Sequence, residues 1–327
     1  MDTVDAVALS AWTPVHVHTT GREPVVDWAL AGGPFTAPFF EEDAHRVMQH
    51  PFNQVFARST PLDVLDRLRA STPGIAPAGF VFHMSRCGST LISQMLSRLS
   101  DTIVVAEAQP LDAVLRLRAR VPALRDETLV TWFRGLMSAF GQPRAGERRL
   151  FVKFNAWHVL ELPFVARAFP DVPWVFVFRE PRAVLASQAR IPGAELFPES
   201  VDPAHLGIDA AAAHALPPAQ YGARVIAALC DAALRYANIG RMRFVDYAGL
   251  PQAVFSDVLP FFGIEPAEDE TGRMRDVARQ DVKARGEVFR PREIDSRASP
   301  DIDELASRWL DPSYAALRAA AAAQHPG

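Results

Sequence analysis

Five consecutive residues, Arg86-Cys87-Gly88-Ser89-Thr90, combine a fixed cation, a glycine and two hydroxyls, a set suited to holding an anion. They lie between an apolar run, Phe80-Val81-Phe82, and a stretch in which Leu91, Ile92, Met95, Leu96 and Leu99 recur at helical spacing. At a strand-to-helix junction, backbone N–H groups and the helix dipole converge on negative charge. Gly88 lets the backbone come close, Ser89 and Thr90 add hydroxyl donors, and Arg86 adds a planar fork for oxyanions. A tight turn with a capping hydroxyl is the plainer reading of the same residues. The segment departs from the Walker A pattern Gly-x-x-x-x-Gly-Lys-Ser/Thr, because position 83 is histidine and no lysine follows Gly88.

A second arrangement with the same chemistry begins at Arg179. It follows the apolar run Trp174–Phe178, so it stands at the carboxyl end of an expected strand, where open α/β sheets bind ligands. Pro181 suits the first turn of a helix, which puts Ser187 about two turns along it, toward a group that Arg179 also holds. The plainer reading is an arginine paired with a carboxylate and a serine on an ordinary helix face.

Groups that move protons or neutralise charge stand at neighbouring strand ends. Glu107 follows Ile103-Val104-Val105, at the same edge as Arg86, and is the first candidate for a general base. Lys153 follows Leu150-Phe151-Val152 and suits neutralisation of a transferred anion; an exposed loop glutamate and a strand-end lysine reaching solvent are the plainer readings of the two. Asn155 cannot act as a base, and His158 falls on the following helix, below Glu107 in rank. His16 and His18 would share one strand face, but the sequence shows no third ligand, so no metal is expected. Ser89 lacks the Gly-x-Ser-x-Gly setting of a hydrolase nucleophile. The two cysteines, Cys87 and Cys230, form neither a disulfide framework nor a cysteine zinc site.

The elements that position these groups follow from the apolar pattern. After the breaker cluster Ser71-Thr72-Pro73-Gly74 and Pro77, short apolar runs at Phe80–Phe82, Ile103–Val105, Leu150–Val152, Trp174–Phe178 and Arg243–Val245 alternate with helix-period segments. Runs this apolar predict an α/β fold, a central parallel sheet with helices on both faces. Residues 1–78 read as an N-terminal extension of short strands and turns, with apolar stretches around Val15, Val25-Val26 and Pro38-Phe39-Phe40, and one helix near Leu62 to Leu68. Residues 79–327 read as the core, with a long loop or lid over 191–219 and two alanine-rich helices at its end. Nearly half of the 327 residues are apolar, enough for a sizeable core, and the net charge of −4 argues against a dedicated nucleic-acid binder. No signal peptide or spanning helix is expected, which points to the cytoplasm.

Taken together, the two basic elements resemble those of the sulfotransferase family, whose core is P-loop NTPase-like. Arg86, Cys87, Gly88, Ser89 and Thr90 are similar to its 5′-phosphosulfate loop, with cysteine where serine is usual. Arg179 and Ser187, eight positions apart, are similar to its 3′-phosphate pair. Asp246-Tyr247-Ala248-Gly249-Leu250 resembles a later Tyr-Glu-Asp-Leu segment, though both acidic positions are replaced. Arg285-Gly286 is a weaker match to a further 3′-phosphate element. The loop arginine and a glutamate twenty-one positions after it are most similar to the tyrosylprotein branch, whereas the cytosolic Lys-Thr-His reads Lys153-Phe154-Asn155 here. The resemblance implies 3′-phosphoadenosine-5′-phosphosulfate (PAPS) as donor, Arg86, Cys87, Gly88, Ser89, Thr90, Arg179, Ser187 and Tyr247 as its binding residues, and Glu107, Arg86 and Lys153 as catalytic groups. A small-molecule, glycan or peptide acceptor is implied. A P-loop phosphotransferase and a noncatalytic nucleotide-binding module are the competing readings.

Overall fold

The computed structural model describes residues 9–20, 23–121, 123–279 and 300–324. Strands β1 (Trp12–Thr20) and β2 (Glu23–Leu30) pair antiparallel, and β3 (Arg58–Pro61) adds to β2. Val15 and Val17 of β1 are buried while His16 between them is exposed, the alternation of a half-covered sheet. Between β2 and β3 the chain forms α1 (Phe40–Met48) and α2 (Pro51–Val55), so the apolar stretch at Phe40 opens a helix and not a strand. Glu41, Glu42 and Asp43 in its first turn and His45 and Arg46 in its last complement the helix dipole, and Phe40 and Ala44 bury one face. Helix α3 (Val64–Ser71) leads toward the core.

That core runs β4 (Pro77–His83), α4 (Ser89–Leu96), β5 (Thr102–Ala106), α5 (Gln109–Arg120), α6 (Asp126–Phe140), β6 (Arg149–Lys153), a 3-10 turn at Ala156–Glu161, α7 (Leu162–Ala168), β7 (Trp174–Phe178) and α8 (Pro181–Arg190). It continues through α9 (Ala210–Ala215), α10 (Pro218–Arg235), β8 (Met242–Asp246), α11 (Leu259–Phe261), α12 (Glu268–Ala278), α13 (Pro300–Trp309) and α14 (Asp311–Ala323). The five strands β4 to β8 form one parallel sheet in the order β5-β6-β4-β7-β8, flanked by helices, as the apolar runs predict. Every residue of β7 is buried, which is why its sequence carries no polar alternation.

Two regions differ from expectation. Residues 191–219 form short helical turns in place of an irregular loop, with Val201, Leu206, Ile208 and Ala213 buried among otherwise exposed or half-buried residues. Helix α12 is polar and was not expected. It is docked by Glu270, whose carboxylate accepts the Ser100 N–H and hydroxyl from beyond α4, and by buried Met274 and Val277. Arg285 and Gly286 lie outside the described residues. Among the described residues, no helix is long and apolar enough to cross a membrane.

Candidate active site

From β4 the chain moves to one side of the sheet for β5 and β6, then to the other for β7 and β8. The crevice beyond the carboxyl end of β4, between β6 and β7, is therefore the switch point of the topology, where open α/β sheets bind ligands. His83 ends β4, Glu107 follows β5, Lys153 ends β6, Arg179 follows β7 and Tyr247 follows β8. All five strands thus deliver a polar or aromatic group to one edge.

The loop after β4 is wound through left-handed backbone at Ser85 (φ 72°), Arg86 (φ 51°) and Gly88 (φ 85°). Such conformations cost a non-glycine residue about 1–2 kcal/mol, and they are how successive N–H groups are gathered into an anion-binding nest. Gly88 caps α4, and no side chain closes that helix end. A Cβ at Gly88 would stand 2.8 Å from both Tyr247 Cδ2 and Leu250 Cδ1, so only glycine lets the loop lie this close to the segment after β8. Ser89 and Thr90 are buried in the first turn of α4. The Cys87 thiol turns into the sheet and donates to the Val177 carbonyl at 3.0 Å, leaving only the backbone of this residue to the loop.

Arg179 joins the same cluster. Its Nη1 donates to the Arg86 carbonyl at 3.3 Å, and its guanidinium carbon lies 4.1 Å from the centre of the Tyr247 ring. Ser187 is half-buried on the second turn of α8. Beside it is Gln188, which sequence reasoning passed over. Its Nε2 donates to Ser85 Oγ at 3.0 Å and its Oε1 accepts the Gly193 N–H at 2.7 Å. The Arg86 guanidinium donates to the Ile191 carbonyl, so the start of the 191–219 segment is tied to the loop through two side chains. A lone amide among the small residues of α8 is the only sequence signal for Gln188.

Glu107 leaves β5 in the left-handed region (φ 57°), and its N–H donates to the Lys153 carbonyl at 2.7 Å. In return the Lys153 ammonium donates to Glu107 Oε1. Lys153 is 1% exposed, so this carboxylate is the counter-charge of a buried cation. The Lys153 ammonium also lies 5.2 Å from the centre of the Phe39 ring, contributed by the N-terminal segment. His83, another residue that sequence reasoning left without a role, completes the group. Its Nδ1 accepts the Ser85 N–H at 3.0 Å, which assigns the proton to Nε2, and Nε2 faces the Phe154 carbonyl at 3.0 Å and Glu107 Oε1 at 3.4 Å.

Electrostatics follow from this packing. Burial, reinforced by the Lys153 charge, lowers the His83 pKa against the pull of Glu107. Burial alone would raise the Glu107 carboxyl, but the Lys153 charge and the His83 hydrogen bond outweigh it and hold the group well below the usual carboxylate range. Below about pH 6.5, the ordinary histidine value, the unfolded chain protonates His83 while the folded protein does not, so stability falls. The depressed Glu107 acts in the same direction, its contribution present above about pH 4.3 and lost on further acidification. The thermal midpoint is expected to fall in two stages, and His83→Asn should remove the first. An unchanged first stage in that variant would place its origin elsewhere.

His158 stands apart from this cluster. It is 1% exposed, its Nδ1 accepts the Asn155 N–H at 3.2 Å, and its Nε2 donates to Asp112 Oδ1 at 3.1 Å. The same Asp112 oxygen accepts from Asn155 Nδ2 and Trp157 Nε1, and Oδ2 accepts from Arg116. Burial raises the Asp112 carboxyl, yet the His158 and Arg116 bonds hold it well below its usual range. Both His158 nitrogens are thus engaged in fixing the turn after β6.

A family model described as the sulfotransferase family matches residues 77–269, more than half of the chain. Among solved structures, the chain is similar to a sulfotransferase from Alicyclobacillus acidocaldarius, with 16% identity, 75% of this chain and 95% of that chain covered, and a TM-score of 0.45. It is also similar to sulfotransferase STF9 from Mycobacterium avium, with 14% identity, 82% of each chain covered and a TM-score of 0.48. A third is the sulfotransferase domain of the Synechococcus PCC 7002 olefin synthase, with 16% identity, coverage of 73% and 96%, and a TM-score of 0.42. No curated protein matches the sequence. The matched span runs from the first residue of β4 to beyond Tyr247 and takes in every strand of the parallel sheet; the chain belongs to the sulfotransferase family.

Proposed function

We propose that the protein transfers a sulfuryl group from PAPS to a hydroxyl or amine of a small-molecule, glycan or peptide acceptor by in-line displacement. One observation carries the reading: the Arg179 guanidinium donates to the backbone carbonyl of Arg86 in the left-handed loop, at the same sheet edge as a lysine–carboxylate pair whose lysine is buried. The left-handed loop and the glycine pressed against Tyr247 fit a cradle for an anionic cofactor. When bound, PAPS supplies a sulfuryl group on a phosphate that leaves. The loop N–H groups of Arg86 to Thr90, the Ser89 and Thr90 hydroxyls and the Arg86 guanidinium hold the phosphosulfate end, with Cys87 acting through its backbone. Arg179 and Ser187 hold the 3′-phosphate, and Tyr247 backs Arg179.

Glu107 takes the acceptor proton. Because the Lys153 charge is the largest influence depressing this carboxyl, ahead of the His83 hydrogen bond, basicity rises when the ammonium turns from it toward the charge that develops during transfer. Lys153 therefore acts twice, as a restraint on the base and as an electrostatic stabiliser. We assign the activity to residues 79–327, with residues 1–78 as an extension that brings Phe39 to the Lys153 side. The buried cysteines Cys87 and Cys230, which form no disulfide with each other, suit a reducing, cytoplasmic setting. The test is mass spectrometry of acceptor panels incubated with the protein and PAPS. Gain of one sulfate on an acceptor is the expected result; phosphate gain from ATP, with none of sulfate from PAPS, would overturn the reading.

A further inference from the structure

Outside the crevice, one cluster has the composition and geometry of a metal centre. His16 and His18 project from the same face of β1, and Asp27 of β2 is paired directly across from His16 and diagonally from His18. Both imidazoles turn Nδ1 to one carboxylate oxygen, with His16 Nδ1 3.5 Å and His18 Nδ1 3.4 Å from Asp27 Oδ2. All three ligand atoms lie within 4.8 Å of one another. A tetrahedral ion with bonds of about 2.0–2.1 Å sets its ligand atoms about 3.3–3.4 Å apart. The observed separations are therefore those of two edges of such a polyhedron.

Three further features prepare the group. The other Asp27 oxygen, Oδ1, accepts the Ser59 hydroxyl from β3, which fixes the carboxylate and leaves Oδ2 to face the histidines. The two rings stack with centroids 5.1 Å apart and planes 23° apart. His18 Nδ1 is buried and, beyond its 3.4 Å approach to Asp27 Oδ2, makes no hydrogen bond among the described residues, an arrangement that is costly for a polar atom unless something binds it.

We propose that His16, His18 and Asp27 bind one divalent transition-metal ion of the zinc type, with a fourth position open to water. Two imidazoles and one carboxylate are the donor set of open zinc sites. The ion cross-links β1 to β2. It also braces the strand edge at Val17, whose N–H and carbonyl bond the Gln109 side chain at 2.9 and 2.8 Å, two residues beyond Glu107. The third ligand escapes the sequence because it is set by strand register across a turn, and no fixed spacing announces it.

The full chain, freed of any tag and dialysed against chelator, can be titrated with zinc chloride in a calorimeter and with cobalt chloride by visible absorption. One ion per chain, tetrahedral cobalt bands and a higher thermal midpoint with zinc are expected. Asp27→Asn retains the bond with Ser59 and the fold, verified by circular dichroism, yet should weaken binding by about tenfold or more. His18→Gln should do the same. No uptake by the folded wild type, or uptake unchanged in both variants, would overturn the proposal.

Discussion

Replacing Glu107 by glutamine is expected to lower turnover by about 10²–10⁴-fold, the usual consequence of losing a general base. The amide keeps the size of the side chain and an oxygen that accepts from Lys153, so donor binding should change little. Stability should fall modestly, because Lys153 is 1% exposed and loses its counter-charge. Glu107→Ala leaves that cation without an acceptor among the described residues and should cost up to about 3–5 kcal/mol, as in other broken buried pairs. Steady-state rates and chemical denaturation on the two variants separate these effects. Near wild-type turnover in a folded Glu107→Gln protein would remove Glu107 from the chemistry. His158 would be a poor replacement, since both its nitrogens are committed to Asn155 and Asp112.

The second large effect concerns Arg179. If it holds the 3′-phosphate, Arg179→Ala should reduce affinity for adenosine 3′,5′-bisphosphate by about 1.5–3 kcal/mol, the value of a charge-assisted hydrogen bond. That is roughly 10- to 150-fold, since each 1.4 kcal/mol is tenfold. Affinity for AMP, which has no 3′-phosphate, should change far less. Equal losses for both ligands would mean that Arg179 supports the loop through its bond to the Arg86 carbonyl and does not read the 3′-phosphate.

The parallel sheet was legible because its inner strands are covered on both faces and therefore spelled in near-continuous apolar residues, as in Trp174–Phe178. The edge at which Arg86, Glu107, Lys153, Arg179 and Tyr247 gather was legible for the same reason: each directly follows or ends such a run, or follows it by a short turn. What local pattern could not show is pairing. Glu107 reads as a loop carboxylate, and its partner Lys153 stands forty-six positions away on an adjacent strand. His83 looks like a departure from a phosphate-loop pattern until its ring is seen between Ser85 and Glu107. Cys87 fills a position where a hydroxyl is usual, and only the fold shows its thiol spent on Val177. Helix α12 lacks an apolar stripe and is held by the distant Ser100.

With PAPS as donor, the crevice recognises a nucleotide carrying both a 5′ and a 3′ anion. Calorimetric titration of the wild-type protein with adenosine 3′,5′-bisphosphate, AMP and ATP tests it most directly. The bisphosphate is expected to bind at least tenfold more tightly than AMP, the contribution of about one charge-assisted bond, and more tightly than ATP. Equal affinity for the bisphosphate and AMP, or tighter binding of ATP, would contradict it.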